Sequence, residues 1–121
     1  MTWQLFIDDL RNPADVYSAA VPELAPQTWT VARSSEEAVK LVQKLGMPTR
    51  MSLDHDLGIC SNGKGGTTTD IVPTFLRWLA NEFWDGSAMV PSYIIHSANP
   101  VGAKNMDSFM LSWYRSSEMQ A

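Results

Sequence analysis

The sequence is poor in cysteine and histidine, has no excess of basic residues and contains no long apolar run. Its one cysteine, Cys60, cannot form a disulfide within the chain, which fits a reducing compartment. No apolar stretch approaches the roughly 20 residues that span a membrane, and no basic segment followed by an apolar core marks a signal peptide. We therefore expect a protein of the cytoplasm that makes no contact with a membrane.

The charge balance narrows the range of ligands. A net charge of −4 and an isoelectric point near 4.9 argue against duplex nucleic acid, whose binding needs a basic surface to displace counterions from phosphates. A small phosphorylated ligand held through a metal ion is compatible with this charge. The 121 residues, 45% of them hydrophobic, suffice for one domain with a core, so we predict a single domain over residues 1–121.

Strand-like and helix-like patterns alternate along the chain. Short apolar segments predict four strands, at residues 3–7, 29–32, 51–53 and 93–96. Capping residues and apolar spacing predict helices after Ser34 or Ser35, after Thr69 or Asp70, and after Pro100. Alternation of this kind predicts an α/β domain with a four-stranded parallel sheet in the flavodoxin-like order 2-1-3-4.

Three segments have weaker patterns. Prolines restrict the first helix to a short turn within residues 14–20. Residues 58–69, rich in glycine, serine, asparagine and threonine, are predicted to form a loop. The helix after Asp70 is predicted to end near Asp85 and Gly86.

Carboxylates follow two of the predicted strands. Asp8 and Asp9 follow the first strand, and Asp54 and Asp56 follow the third. In the order 2-1-3-4 these strands are neighbours, so Asp8, Asp9 and Asp54 would meet at the sheet edge where open α/β sheets bind ligands. Carboxylates this close need a compensating cation, proton or basic group, and oxygen ligands suit Mg²⁺ or Mn²⁺. Alternatively, Asp8 and Asp9 only begin a turn.

The two histidines of the chain lie at the same predicted edge. His55 and His96 follow the third and fourth strands, and two imidazoles facing a phosphate could act as general base and general acid. Each also has a structural alternative: His55 as a solvated loop residue, and His96 as a buried, hydrogen-bonded strand end. Asp56 directly follows His55 and could contribute only its backbone carbonyl.

Several further polar residues near this edge are candidates for contacts with phosphate. Basic residues of this kind are more often solvated at the surface, and the serine and asparagine before Pro100 could simply form a turn. The candidates are Arg11, Arg33, Ser97, Asn99 and Lys104.

The segment from Gly58 to Lys64 has the spacing of a phosphate-binding P-loop. Position 65 is glycine instead of the serine or threonine that would bind Mg²⁺, and Asp54 and Asp56 place negative charge at the start of the segment. We therefore expect a mobile lid over the acidic site in preference to a nucleoside triphosphate site.

These motifs together resemble response-regulator receiver domains, and more closely a receiver-like group of bacteria and their phages described as cyclic-phosphate-processing receiver domains. The resemblance rests on three segments: Leu5 to Asp9 with Arg11-Asn12-Pro13, Ser52 to Gly58, and His96 to Pro100 with Gly102, Asn105 and Met106. It implies a short, three-layer receiver-like domain without the fifth strand of receivers. Since that strand carries the lysine that binds an acyl phosphate, phosphotransfer onto Asp54 is not expected.

The resemblance also implies processing of a cyclic nucleotide or cyclic phosphate. We expect a metal-assisted phosphoesterase, a phosphodiesterase that degrades a signalling or defence messenger, in the host cytoplasm if a phage encodes it. Its metal ligands would be Asp8, Asp9 and Asp54, its catalytic group His55, His96, Asp54 and Asp56, and its phosphate ligands Arg11, Ser97, Asn99 and Lys104. The alternative is a non-catalytic module that sequesters a nucleotide, or docks on a partner protein or a second copy.

Overall fold

Two sheets and four helices make up the described part of the protein, which comprises residues 2–61, 63–83 and 89–120 of a computed structural model. The strands are β1 (Gln4–Ile7), β2 (Trp29–Ala32), β3 (Arg50–Leu53), β4 (Asp56–Ser61), β5 (Thr67–Ile71) and β6 (Ser92–Ile95). The helices are α1 (Pro13–Val16), α2 (Ser35–Leu45), α3 (Val72–Phe83) and α4 (Pro100–Gln120), and two 3-10 turns span Pro22–Leu24 and Pro26–Thr28.

The larger sheet has four parallel strands in the order β2-β1-β3-β6. Phe6 in β1 pairs with Val31 in β2 and with Ser52 in β3, and Ser52 pairs with Ile94 in β6. Since β6 is the fourth parallel strand along the chain, the predicted order 2-1-3-4 is confirmed. A fifth parallel strand does not occur among the residues that the structure describes.

The two faces of this sheet are covered unequally. Side chains alternate along a strand, so Leu5 and Ile7 lie on one face, where α2, α3 and α4 supply the rest of the main core. Phe6 lies on the other face, where the rings of Tyr17 and Trp29 contact it with centroids 6.4 and 6.1 Å away. Long helices therefore cover one side, whereas α1 and the 3-10 turns form a thin layer on the other.

Helix α2 follows its sequence signals closely. The Ser34 side chain accepts a hydrogen bond from the Glu37 N–H at 3.1 Å, and Gly46, with a φ of 85°, follows the last turn. The helix predicted after Pro100 from apolar spacing is also present as α4, and its apolar residues Met106, Met110 and Trp113 are buried. No helix in the described ranges is long and apolar enough to cross a membrane. The predicted helix end near Asp85 and Gly86 lies outside the described residues.

The predicted loop over residues 58–69 is wrong. β4 and β5 form an antiparallel hairpin there, and Thr69 pairs with Ile59. The β-branched residues that follow the glycines favour a strand, and the glycine content reflects the hairpin tip, where Gly63 and Gly65 have positive φ angles. The predicted caps of α3 are wrong for the same reason, since Thr69 and Asp70 belong to β5.

Candidate functional site

The parallel pairing continues one residue beyond the strands and fixes the start of the site. The N–H of Asp8 donates to the Ala32 carbonyl at 3.1 Å, and that of Asp54 to the Ile7 carbonyl at 3.1 Å. The N–H of His96 donates to the Leu53 carbonyl at 2.9 Å. Alternation therefore places the side chains of Asp8, Asp54 and His96 side by side, on the thinly covered face.

Three carboxylates converge at this edge. Asp8, Asp9 and Asp54 each offer an oxygen atom, and these atoms lie within 4.8 Å of one another. Asp8 and Asp54 are buried, with only 1% and 9% of each residue exposed. The predicted convergence of the two strand ends is thus present in the fold. Carboxylate oxygens at this spacing form a donor set that suits a hard divalent cation.

The acidic group lies at the bottom of an open pocket of about 500 Å³. Residues that follow the ends of β1, β3 and β6 line this pocket, and the last of them directly precedes α4: Asp8, Asp9, Leu10, Arg11, Asp54, Asp56, Ser97, Ala98 and Asn99. Seven of the predicted site residues therefore line one pocket, whereas neither histidine lines it. Lys104 is exposed on α4 and does not line it either.

Arg11 neutralises part of the acidic group. Its Nε donates to Asp8 Oδ2 at 2.9 Å, while its Nη2 lies 3.5 Å from Asp54 Oδ1 and 3.2 Å from the His96 carbonyl oxygen. The Arg11 side chain is 39% exposed, so solvent reaches it. Arg11 thus lies between the two buried carboxylates that the sequence assigns to a cation.

The two buried carboxylates have opposite pKa shifts. Burial raises the pKa of Asp8, but hydrogen bonds from the N–H groups of Arg11 and Leu10, from His96, and the Arg11 charge together hold it below its usual value. Burial is also the largest influence on Asp54, and the neighbouring charges of Asp8 and Asp9 act in the same direction. The pKa of Asp54 is therefore raised.

His96 is enclosed by protein groups, with 4% of its side chain exposed. Its Nε2 lies 3.0 Å from Asp8 Oδ2 and its Nδ1 lies 2.7 Å from Ser52 Oγ. The ring stacks on Phe6 with centroids 4.6 Å apart and an angle of 8°. This is the buried, hydrogen-bonded arrangement that the sequence left open, and burial holds the pKa of His96 below its usual value.

His55 lies behind the pocket wall. Its Nδ1 is 3.1 Å from Asp56 Oδ1, and 14% of its side chain is exposed. Its ring packs on Gly102 so closely that a Cβ at that position would lie 2.4 Å from His55 Cδ2. The Asp56 side chain is 62% exposed and does line the pocket. The two imidazoles therefore contact different aspartates, and neither lines the pocket.

Ser97 and Asn99 form the predicted turn before Pro100 and also line the pocket. Ser97 Oγ accepts a hydrogen bond from the Asn99 N–H at 3.0 Å. Asn99 Oδ1 accepts one from the Gly102 N–H at 3.0 Å, which caps α4. The turn is thus present, and contact of Ser97 and Asn99 with phosphate stays a prediction.

Arg33 holds the loop that follows β1. Its Nη1 donates to the carbonyl oxygens of Asp8 and Arg11 at 3.2 and 2.6 Å, and its Nη2 donates to the Asn12 side chain. The sequence left Arg33 as either a phosphate contact or a solvated surface charge, but these hydrogen bonds engage the guanidinium with the loop. Arg33 therefore positions the backbone between Asp8 and Asn12.

Two residues beside the site, Tyr17 and Ser52, were not among the candidates predicted from the sequence. The Tyr17 hydroxyl lies 2.6 Å from Ser52 Oγ, which in turn contacts His96. Ser52 could have been noticed, because a polar residue inside a buried strand needs a hydrogen-bond partner. Tyr17 carries no such signal, since it follows a short helix in a proline-rich region.

The P-loop interpretation does not fit the fold. The segment from Gly58 to Lys64 runs through β4 into the hairpin tip and is followed by β5, whereas a P-loop leads directly into a helix. Gly58, with a φ of 83°, lies against the acidic group, because a Cβ there would be 3.5 Å from Asp9 Oδ2. The hairpin therefore borders the pocket.

Comparison with known proteins gives one result. The model of the family described as "Cyclic-phosphate processing Receiver domain" matches residues 3–112. Neither the curated proteins nor the solved structures contain a match to the chain. The matched range includes the acidic group, both histidines and the start of α4.

Proposed function

The chain belongs to the cyclic-phosphate processing receiver domain family, and we propose that it is a metal-assisted phosphoesterase that hydrolyses a cyclic nucleotide or cyclic phosphate. The observation that supports this proposal is the convergence of Asp8, Asp9 and Asp54 at the bottom of an open pocket. Signalling and defence messengers of the cyclic nucleotide type belong to this substrate class.

The carboxylates are assigned to a divalent cation, Mg²⁺ or Mn²⁺. Asp8, Asp9 and Asp54 would hold it, since an all-oxygen donor set of this size suits such ions. When bound, the cation supplies charge that polarises a phosphoryl oxygen. Arg11, Ser97 and Asn99 line the same pocket and are assigned to the other phosphate oxygens, with Lys104 on α4 as an outer positive charge.

Hydrolysis requires two proton transfers, which we assign to Asp56 in the pocket, with His55 as its hydrogen-bond partner. A water oxygen forms a bond to phosphorus, the bond from phosphorus to one ribose oxygen breaks, and one proton leaves the water while another reaches the ribose oxygen. Asp56 faces the pocket and accepts the first proton, and the Asp56–His55 pair returns one to the ribose oxygen. His96 as a proton-transfer group stays a prediction, and its enclosure favours a role in holding Asp8.

One observation favours the alternative of a binding module without catalysis. Arg11 already neutralises Asp8 and Asp54, so the acidic group does not require a metal ion to be stable. In that case the pocket would bind a nucleotide, with Arg11 reoriented toward its phosphate, and no product would form.

Turnover separates the two functions. The purified protein is incubated with a panel of cyclic mononucleotides, cyclic dinucleotides and 2′,3′-cyclic phosphates, with Mg²⁺, with Mn²⁺ and with EDTA. We expect metal-dependent hydrolysis of at least one substrate, reduced about 100-fold or more by Asp56→Asn, in line with typical contributions of general acid–base groups. His55→Ala should have a similar effect.

Glu36→Gln is the matched control, because Glu36 is an exposed acid on α2 that forms an ion pair with Lys40, outside the pocket. It should retain full activity. The enzymatic proposal would be wrong if a panel member binds without forming product and Asp56→Asn leaves its affinity unchanged. The protein would then be a binding module.

A further inference from the structure

A chain of part-buried hydrogen bonds leads from the acidic group to Tyr17, the residue that follows α1. Asp8 Oδ2 lies 3.0 Å from His96 Nε2, His96 Nδ1 lies 2.7 Å from Ser52 Oγ, and Ser52 Oγ lies 2.6 Å from the Tyr17 hydroxyl. Ser52 is fully buried, and Asp8 is almost so. These four side chains, which we call the relay, lie on the thinly covered face of the sheet. Tyr17 and Ser52 do not line the pocket.

The partners of Asp8 set the direction of every hydrogen bond in the relay. Asp8 Oδ1 accepts from the N–H groups of Leu10 and Arg11, and Oδ2 accepts from Arg11 Nε, so this carboxylate is an acceptor throughout. His96 Nε2 must then carry the proton that it donates to Oδ2. In a neutral imidazole the other nitrogen is an acceptor, so Ser52 donates to Nδ1 and accepts from Tyr17.

We propose that Tyr17 and Ser52 are positioning residues that fix His96 as its Nε2–H tautomer and thereby hold Asp8 Oδ2 in place at the acidic group. The stacking of His96 on Phe6 restricts the plane of the imidazole but not which nitrogen faces Asp8. The Ser52 hydroxyl decides which nitrogen faces Asp8. If the ring flipped or the proton moved to Nδ1, the hydrogen bond that Nδ1 accepts from Ser52 would be lost, and an unmade buried hydrogen bond costs free energy. Tyr17 in turn fixes the Ser52 hydroxyl.

The consequence for a bound cation rests on the proposed function, whereas the tautomer does not. Hydrogen-bond partners of a metal-ligating side chain orient the ligand, and their loss typically weakens metal binding about 10- to 100-fold. Ser52 acts through His96, one step farther from Asp8, so its loss should have an effect near or below the lower end of that range.

Nitrogen NMR tests the relay directly, because the chain has two histidines and a His55→Asn variant assigns both. In EDTA at pH 8, two-bond proton–nitrogen correlations should show His96 with a protonated Nε2 and an unprotonated Nδ1. Ser52→Ala should move the Nδ1 resonance downfield, as expected for loss of a hydrogen bond, and Tyr17→Phe should move it less. A wild-type His96 protonated on Nδ1, or an Nδ1 resonance unmoved in both variants, would overturn the proposal.

The effect on the acidic group is measured as Mn²⁺ affinity. Ser52→Ala should raise the dissociation constant about 3- to 10-fold, while Ser35→Ala should leave it unchanged. Ser35 is a matched control, because its buried hydroxyl donates to the Ile71 carbonyl, outside the relay. Equal Mn²⁺ affinities of Ser52→Ala and Ser35→Ala would show that Ser52 does not position Asp8. A wild-type protein without Mn²⁺ affinity would refute the proposed cation instead, and the NMR result would then decide on the relay alone.

Discussion

Among single residues, Arg11 has the position with the clearest chemical consequence. Its guanidinium bridges Asp8 and Asp54, the two buried carboxylates of the proposed cation site. A cation held by both carboxylates would have to share them with this fixed positive charge. Arg11 and a divalent cation should therefore compete for these two carboxylates. In the protein without a metal ion, Arg11 already neutralises part of their negative charge.

Arg11→Ala tests this competition. We expect the variant to bind Mn²⁺ about tenfold more tightly, equivalent to about 1.4 kcal/mol. This is well below the unscreened attraction between such charges, because Arg11 is 39% exposed and solvent weakens its ion pairs. Isothermal titration calorimetry measures the affinity. Arg77→Ala, which removes an exposed charge on α3, should leave it unchanged, and weaker binding by Arg11→Ala would show that Arg11 supports the site.

The sequence predicts residues at strand ends better than it predicts contacts between side chains. Asp8, Asp9 and Asp54 could be brought together because strand order alone determines which carboxyl ends are adjacent. The enclosure of His96 depends on Phe6 and Ser52 in two other strands, and no spacing in the sequence encodes that packing. The catalytic roles predicted for the histidines remain predictions.

Among elements, the start of α4 determines where His55 lies. The Asn99 cap directs the helix over His55, and Gly102 is the point of closest approach. A Cβ at Gly102 would lie 2.4 to 2.8 Å from three ring atoms of His55, so the ring or the helix would have to move. The first turn of α4 thus positions the proposed Asp56–His55 pair.

Gly102→Ala should destabilise the protein, although alanine is ordinarily the better helix former. We expect a loss of about 1–3 kcal/mol in the free energy of unfolding, typical of overpacking a well-packed position. Urea unfolding measures it, and activity should fall in parallel if His55 moves. Ser112→Ala, at an exposed position on α4, should change stability by less than about 0.5 kcal/mol. Equal stability of the two variants would mean that the contact with His55 is not tight.

Elements with strong local signals were predictable, and the hairpin was not. Helix α2 has a serine cap, acids in its first turn and a terminal glycine, all of which act within a few residues. The hairpin of β4 and β5 depends on pairing between segments whose composition resembles a loop. The glycines at its tip favour a loop prediction, so the strand formed by the β-branched threonines beside them was not predicted.

For the molecule as a whole, tyrosine ionisation should limit stability at alkaline pH. Burial raises the pKa values of Tyr17, Tyr93 and Tyr114, and for Tyr93 the hydrogen bond to Asp107 and the negative charge of Asp107 add to the effect. The folded state therefore retains protons that the unfolded chain releases above about pH 10. This contribution is complete below pH 10 and is lost as the pH rises further.

The free energy of unfolding should thus fall above pH 10, by at most about 1.4 kcal/mol per pH unit for each tyrosine that stays protonated. Solvent screening lowers this contribution for Tyr93, whose hydrogen bond to Asp107 lies at the surface. Urea titrations at pH 8, 10 and 11 give the slope. Tyr93→Phe removes the largest of the three shifts and should make the slope shallower. A variant with the slope of the wild type would show that Tyr93 does not contribute.

The contact between His96 and Asp8 joins residues that are 88 positions apart in the chain. On the ribosome, the carboxylates after β1 would leave the exit tunnel long before β6 is made, since synthesis proceeds from the N-terminus at about 5–20 residues per second. For several seconds the nascent chain would therefore carry Asp8, Asp9 and Asp54 without the strand that completes their surroundings. The proposed cation site should therefore be complete only late in synthesis, when β6 docks against β3.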